Sequence, residues 1–273
     1  METFLISCLL GAVTGTVLGL TGAGGAILAV PLLVFGLHMD MSEAVPIALL
    51  AVCISATVGA LIGLKQKKLR YRAAGLIALT GALAAPAGLW LSQQLPHEPL
   101  VLLFALMLSY VAIRMLLLNR QHDPEAHAGM AHHPSPDIPC QSENSDGRLI
   151  WTWPCARVLC YSGMLAGFLS GLLGVGGGFV IVPALKKATY LQMQSILATS
   201  LAVVALVSVV GAGSAVMLGS MNWSVGIPFG VGALTGMMLG FKLLTFFSAS
   251  KLQQGFAWMA IIIAIGMVLQ LFI

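Results

Sequence analysis

The sequence predicts an all-α integral membrane protein made of two homologous halves, and three observations carry that expectation. Charged residues make up 8% of the 273 positions, hydrophobic residues 59%, and the mean hydropathy is +0.98. A soluble domain usually carries about 25% charged residues, so lipid must wet most of the outside of this fold. Apolar segments fill the chain on both sides of a single polar stretch. Shifted by 152 positions, the chain also matches itself without a gap. Gly11, Gly15, Gly19, Leu20, Gly22, Gly24 and Gly25 fall on Gly163, Gly167, Gly171, Leu172, Gly174, Gly176 and Gly177. Val30-Pro31 falls on Val182-Pro183, Val58-Gly59-Ala60 on Val210-Gly211-Ala212, and Phe104-Ala105 on Phe256-Ala257. Duplicated halves explain a fixed offset over so long a stretch, and they are typical of transporters.

The elements follow in order. Segment 3–20 opens without a basic region before it, so it is expected to remain as a span rather than be cleaved. Segment 25–37 is too short to cross alone, because a span needs about 20 apolar residues, and it follows a Gly-rich break. Segments 44–64, 73–95 and 99–118 are long enough, with Pro46 and Pro86 expected to start or kink their helices. The second half repeats the pattern at 155–172, 177–190, 196–219, 223–247 and 254–273. Each half therefore reads as three full spans plus one hairpin-like segment broken by glycine. The first repeat is 1–118 and the second is 154–273. Between them, 119–153 is polar, rich in His and Pro, and too poor in apolar residues to fold alone.

Basic residues orient the halves, since Lys and Arg near span ends mark the cytoplasmic side. Lys65, Lys67, Lys68, Arg70 and Arg72 crowd one loop whose repeat partner, 217–224, has none. Lys186 and Lys187 follow the second Gly-rich segment, where the first half offers only His38, Asp40 and Glu43. If the halves pointed the same way, nine basic residues would lie inside and four outside. Inverted repeats place all thirteen on one side. The sequence favours inverted halves, both termini outside and the linker in the cytoplasm.

Two motifs carry the chemistry. Thr21, Gly22, Ala23, Gly24 and Gly25 lead to Val30-Pro31, and Gly174, Val175, Gly176, Gly177 and Gly178 lead to Val182-Pro183. So many glycines weaken a helix by about 1 kcal/mol each, so both stretches should break at membrane depth. Irregular backbone is tolerated there only where protein buries it or a cavity meets it. The short helices that follow would turn unpaired N–H groups and a positive dipole end toward that cavity, which suits an anion. The plainer reading is helix packing through small residues, and it is favoured for Gly11, Gly15, Gly19 and their partners. A dinucleotide fingerprint needs a βαβ unit, and none is present. Thr199 and Ser200, and with less weight Ser55 and Thr57, could donate to an oxyanion or bond their own helix.

No acidic residue sits in the middle of a span, so a carboxylate relay has no carrier. Arg114 and Lys242 can snorkel to the interface, and Glu43 can favour its helix N-terminus. His122, His127, His132 and His133 have irregular spacing in a polar linker, so no metal site and no cofactor are expected. The five cysteines form no CxxC and suggest no disulfide. No titratable pair supports an enzyme.

The doubled break, each copy followed by a Val-Pro pair, resembles the TauE/SafE family of sulfite exporters and permeases. Ala198-Thr199-Ser200-Leu201 is similar to that family's second half. The resemblance spans the chain apart from the linker. It implies transport of sulfite, sulfoacetate, thiosulfate or a related sulfur anion. Ala26 stands opposite Gly178, and Pro46-Ile47-Ala48 opposite Ala198-Thr199-Ser200, so unequal contributions from the halves are expected. The sequence thus reads as a permease or exporter in a bacterial inner membrane, its small anionic substrate held between the repeats. The lipid bilayer is its other partner, nucleic acid is excluded, and a homodimer is an open option. The rival readings are a non-transporting scaffold or assembly factor and, more weakly, a membrane-embedded enzyme.

Overall fold

A computed structural model describes residues 2–22, 25–67, 69–120, 142–143, 148–149, 153–188, 193–219, 221–243 and 249–272. In the first half lie α1 (Glu2–Thr21), α2 (Ala26–Leu37), α3 (Met41–Lys65), α4 (Tyr71–Gln94) and α5 (His97–Arg120). In the second lie α6 (Trp153–Leu173), α7 (Gly178–Ala188), α8 (Met193–Met217), α9 (Trp223–Leu243) and α10 (Ala249–Phe272). All ten apolar segments are helices. Within the linker, β1 (Ser142–Glu143) pairs antiparallel with β2 (Arg148–Leu149). The linker's four His lie outside the described residues.

Six described helices, α1, α3, α4, α6, α8 and α9, are long and apolar enough to cross a membrane. The glycine hairpin therefore has unequal arms. α1 has 20 residues and reaches span length by itself, while α2 has 12. The two arms run antiparallel: Gly25 packs on Leu18, and Gly36 on Leu10. The outside is apolar, with Leu83 77% exposed and Leu79 65% exposed on α4, as lipid-facing helices require. Tyr71, Trp153 and Trp223 are exposed at helix starts, where amphipathic rings favour the interface. Glu43 stands in the first turn of α3, next to the positive end of that helix.

The duplication is legible in individual contacts. A methyl group at Gly11, Gly15 or Gly19 would strike the backbone of Phe229, Ala233 or Met237 on α9. Their repeat mates Gly163, Gly167 and Gly171 meet Ile77, Gly81 and Ala85 on α4, which are themselves the repeat mates of those three α9 residues. α1 and α9 thus run parallel, as do α6 and α4. The packing assigned to the six glycines holds. Gly211 meets Leu49 and Gly59 meets Leu201, so α3 and α8 cross antiparallel and make the same contact twice. α3 in turn runs parallel to α9, with Gly226 at Leu50 and Gly230 at Ile54.

One expectation fails. Cys155, buried at the start of α6, is disulfide-bonded, whereas Cys8, Cys53 and Cys160 are free. Cysteine spacing reveals a bond only when the partners belong to a known pattern, and here they do not.

Candidate functional site

Both breaks form, and each begins with the same conformation. α1 stops as Gly22 takes φ +75°, its amide donating to the Leu18 carbonyl at 2.8 Å. α6 stops as Gly174 takes φ +70°, its amide donating to the Ser170 carbonyl at 2.9 Å. Left-handed backbone is costly for any residue with a Cβ and is the usual glycine helix stop.

Beyond that turn the two copies differ. In the first, the Thr21 hydroxyl donates to the Val17 carbonyl at 2.8 Å and accepts from the Gly25 amide at 3.0 Å, stitching the break closed. Gly25 returns to helical φ, at −61°. In the second, Leu173 stands where Thr21 does, so no hydroxyl can play that part. Gly176 and Gly177 both take φ +67° before α7 starts at Gly178. Ala23 and Gly24 lie outside the described residues.

The turns face opposite ends of the bundle. Gly22 packs on Leu197 near the start of α8, and Gly174 on Val45 near the start of α3. Leu197 and Val45 are repeat mates at far ends of the antiparallel α3–α8 pair. From its end, the second break reaches inward: a methyl at Gly176 would come within 2.9 Å of Val52 on α3 and of Val204 on α8. These two valines are repeat mates, so Gly176 touches the centre of the duplication.

Space beside the breaks is small. A void with about 10 Å³ of room for a water's centre lies among Gly15, Gly25, Ala26, Val52, Ser55 and Ala233, barely enough for a single water. A second void of the same size, apolar throughout, sits beside the other break among Ile27, Phe104, Leu173, Val175 and Phe179. Neither of these voids admits a multi-atom anion.

Hydroxyls separate into two groups. Thr199 is engaged, donating to the Ser195 carbonyl at 2.6 Å and accepting from the Arg70 amide at 3.2 Å, where it caps the start of α4. Most other described helix hydroxyls bond their own backbone, such as Thr57 to Cys53 at 2.6 Å. Ser55, Ser170, Ser200 and Ser208 do not. Each is fully buried, and its oxygen has no partner among the described residues. A buried hydroxyl left unpaired costs about 1–3 kcal/mol. Ser208 lies beside the second break, its Oγ 3.5 Å from where a Gly176 methyl would stand, and Ser55 lines the void at the first. Ser170 and Ser208 were not among the sequence candidates. Their repeat mates are Leu18 and Ala56, and that asymmetry was the available signal. Among the described residues no cluster of His, Cys, Asp or Glu could hold a metal ion.

Paired bundles, each with a helix hairpin bent at glycine toward a shared crossing, define a multi-pass membrane protein of the transporter class. The chain belongs to the sulfite exporter TauE/SafE family, whose model matches residues 7–267, and it is a membrane transporter of that family. A probable membrane transporter protein of Xylella fastidiosa strain Temecula1 is 30% identical over 97% of this chain and 95% of its own length. The probable membrane transporter protein YunE of Bacillus subtilis is 26% identical over 87% of each chain. A probable membrane transporter protein of Methanocaldococcus jannaschii is 28% identical over 74% of this chain and 68% of its own length. No solved structure matches the chain.

Proposed function

We propose that the protein carries a small sulfur-containing oxyanion or organosulfonate, sulfite first among them, across a bacterial inner membrane. The substrate is held between inverted repeats by the two glycine breaks. The observation that carries this reading is the second break. Gly176 and Gly177 strip side chains from the turn that leads into α7, and Gly176 there faces Val52 and Val204. First-turn amides and the helix dipole favour negative charge, and nothing like Thr21 occupies them. Thr21, Gly22 and Gly25 offer the weaker half-site, because Thr21 already takes one amide. Ala23 and Gly24 complete that stretch, and Gly174, Val175 and Gly178 complete the other. Ser200 stays a candidate donor, whereas Thr199 is better read as a cap. The description of the family as sulfite exporters supports the choice of substrate.

The inverted arrangement draws support from the helix directions. α1 runs with α9 and α3, α6 runs with α4, and α4 runs with α8, which opposes α3: Arg70 lies at Thr199 and Gly81 at Val207. Equivalent helices α1 and α6 therefore oppose each other, as do α3 and α8. Lys65 and Arg70 share an end with Lys242 and Arg157 under these directions, which agrees with a wholly cytoplasmic basic face.

The test is uptake and efflux of labelled sulfite in vesicles containing the purified protein, with and without a pH gradient. Gly176→Leu, which adds a side chain against Val52 and Val204, is expected to abolish flux at an undiminished protein level. Retained flux would rule out the second break as the site. The tight voids favour one other reading, a non-transporting scaffold, and wild-type vesicles impermeable to every sulfur anion tried would support it.

A further inference from the structure

We infer that the two half-sites meet at the α3–α8 crossing, where Ser55 and Ser208 supply the side-chain donors to the anion, one on each side. The repeat mates Val52 and Val204 form the partition that sets how large an anion can enter. The inference rests on the anion-transport reading and adds to it the residues that grip and select.

Ser55 and Ser208 stand apart from other hydroxyls on helices of the same bundle. Ser214, on the same helix as Ser208, donates to the Val210 carbonyl at 2.8 Å, and Thr235 on α9 donates to Gly232 at 2.8 Å. Ser55 and Ser208 are 0% exposed and unpartnered among the described residues. Both lie against a helix break. Ser55 lines the void at Gly25 and Ala26, where α2 starts. Ser208 adjoins Gly176, two residues ahead of α7.

Val52 belongs to both places. It lines the Ser55 void, and it stands 2.9 Å from the same Gly176 methyl position that Val204 approaches. Ser55 follows Val52 by three residues and Ser208 follows Val204 by four, which is about one helical turn in each case. Each helix thus presents a valine and, one turn on, a hydroxyl. The two helices cross so that the valines fall at the centre. An oxyanion is a pure acceptor, so it can take the Ser55 O–H and N–H groups of the α2 start on one side of the valines, and the Ser208 O–H and N–H groups of the α7 start on the other. The repeat supplies the valines symmetrically but not the serines, whose mates are Val207 and Ala56.

The experiment measures flux in vesicles with two probes, labelled sulfite and a labelled two-carbon sulfonate. Losing one hydrogen bond to a charged ligand should raise KM for sulfite about tenfold in Ser55→Ala and in Ser208→Ala. Ser214→Ala and Thr235→Ala should keep the wild-type KM. Ser55→Cys and Ser208→Cys nearly preserve side-chain volume and should show the same rise with an unchanged ligand-free Tm, which separates lost binding from lost folding. Val52→Ala and Val204→Ala should raise the sulfonate rate relative to sulfite. Working transport with unaltered KM in the serine variants overturns the donors, and unaltered selectivity in the valine variants overturns the partition. Wild-type vesicles that move neither probe overturn the transport reading itself, and this inference falls with it.

Discussion

Thr21 and Leu173 occupy the same position of the repeat and make the two breaks different sites. The Thr21 hydroxyl bridges the first break through Val17 and Gly25, whereas a leucine can bridge nothing. Thr21→Val keeps the shape of the side chain and removes both hydrogen bonds, leaving the Gly25 amide bare beneath Leu18. The expected cost is about 1–3 kcal/mol, a fall in Tm of several degrees at this chain length, with Thr21→Ser restoring most of it. Melting of the purified protein in detergent checks this, and equal Tm in Thr21→Val and wild type would deny the bridge. Such distinctions were only partly legible in the sequence. The glycine clusters announced the breaks because no other residue accepts φ near +70° so readily. The hydroxyls did not announce their roles. Thr199 and Ser200 are neighbours in sequence, yet one caps α4 and the other is left bare, and that depends on which way each faces in a packed bundle.

Helix α1 is held by its glycine stripe, and so is α6. Gly11, Gly15 and Gly19 let the α9 backbone lie against α1, while Gly232, Gly236 and Gly240 return the favour to Cys8, Ala12 and Thr16. Between α6 and α4 the same interlock uses Gly163, Gly167 and Gly171 against Gly81 and Gly88. In lipid such interfaces depend on close van der Waals fit, because no hydrophobic force pulls one apolar helix to another. Gly15→Leu or Gly167→Leu should therefore wedge a pair apart, at a cost above the about 1–3 kcal/mol of ordinary overpacking because the obstruction is backbone. The expected readout is loss of the monodisperse peak in detergent gel filtration. Gly213→Leu, which meets nothing within 4 Å, should keep that peak. All ten helices could be read from apolar runs and the 152-residue offset, since lipid demands long uninterrupted segments. The partner of each helix could not, because glycine periodicity marks a face without saying what lies on it.

At the scale of the whole molecule, the duplication places one glycine turn toward each end of the α3–α8 pair, with the valine centre between them. Inverted halves give a transporter two equivalent ways to open, one per side. This geometry needs the basic end to lie on a single side of the membrane. Lys65, Arg70, Arg157 and Lys242 gather there by helix direction, and the cytoplasmic leaflet is where such residues are retained. The Cys155 disulfide at that end pulls the other way, because disulfides persist in oxidising compartments. Thirteen cations outweigh one bond, so the basic end is expected on the cytoplasmic side. A reporter active only outside the cytoplasm, fused after Ile273, should light up. A dark reporter would turn the protein over in the membrane and put the basic end outside.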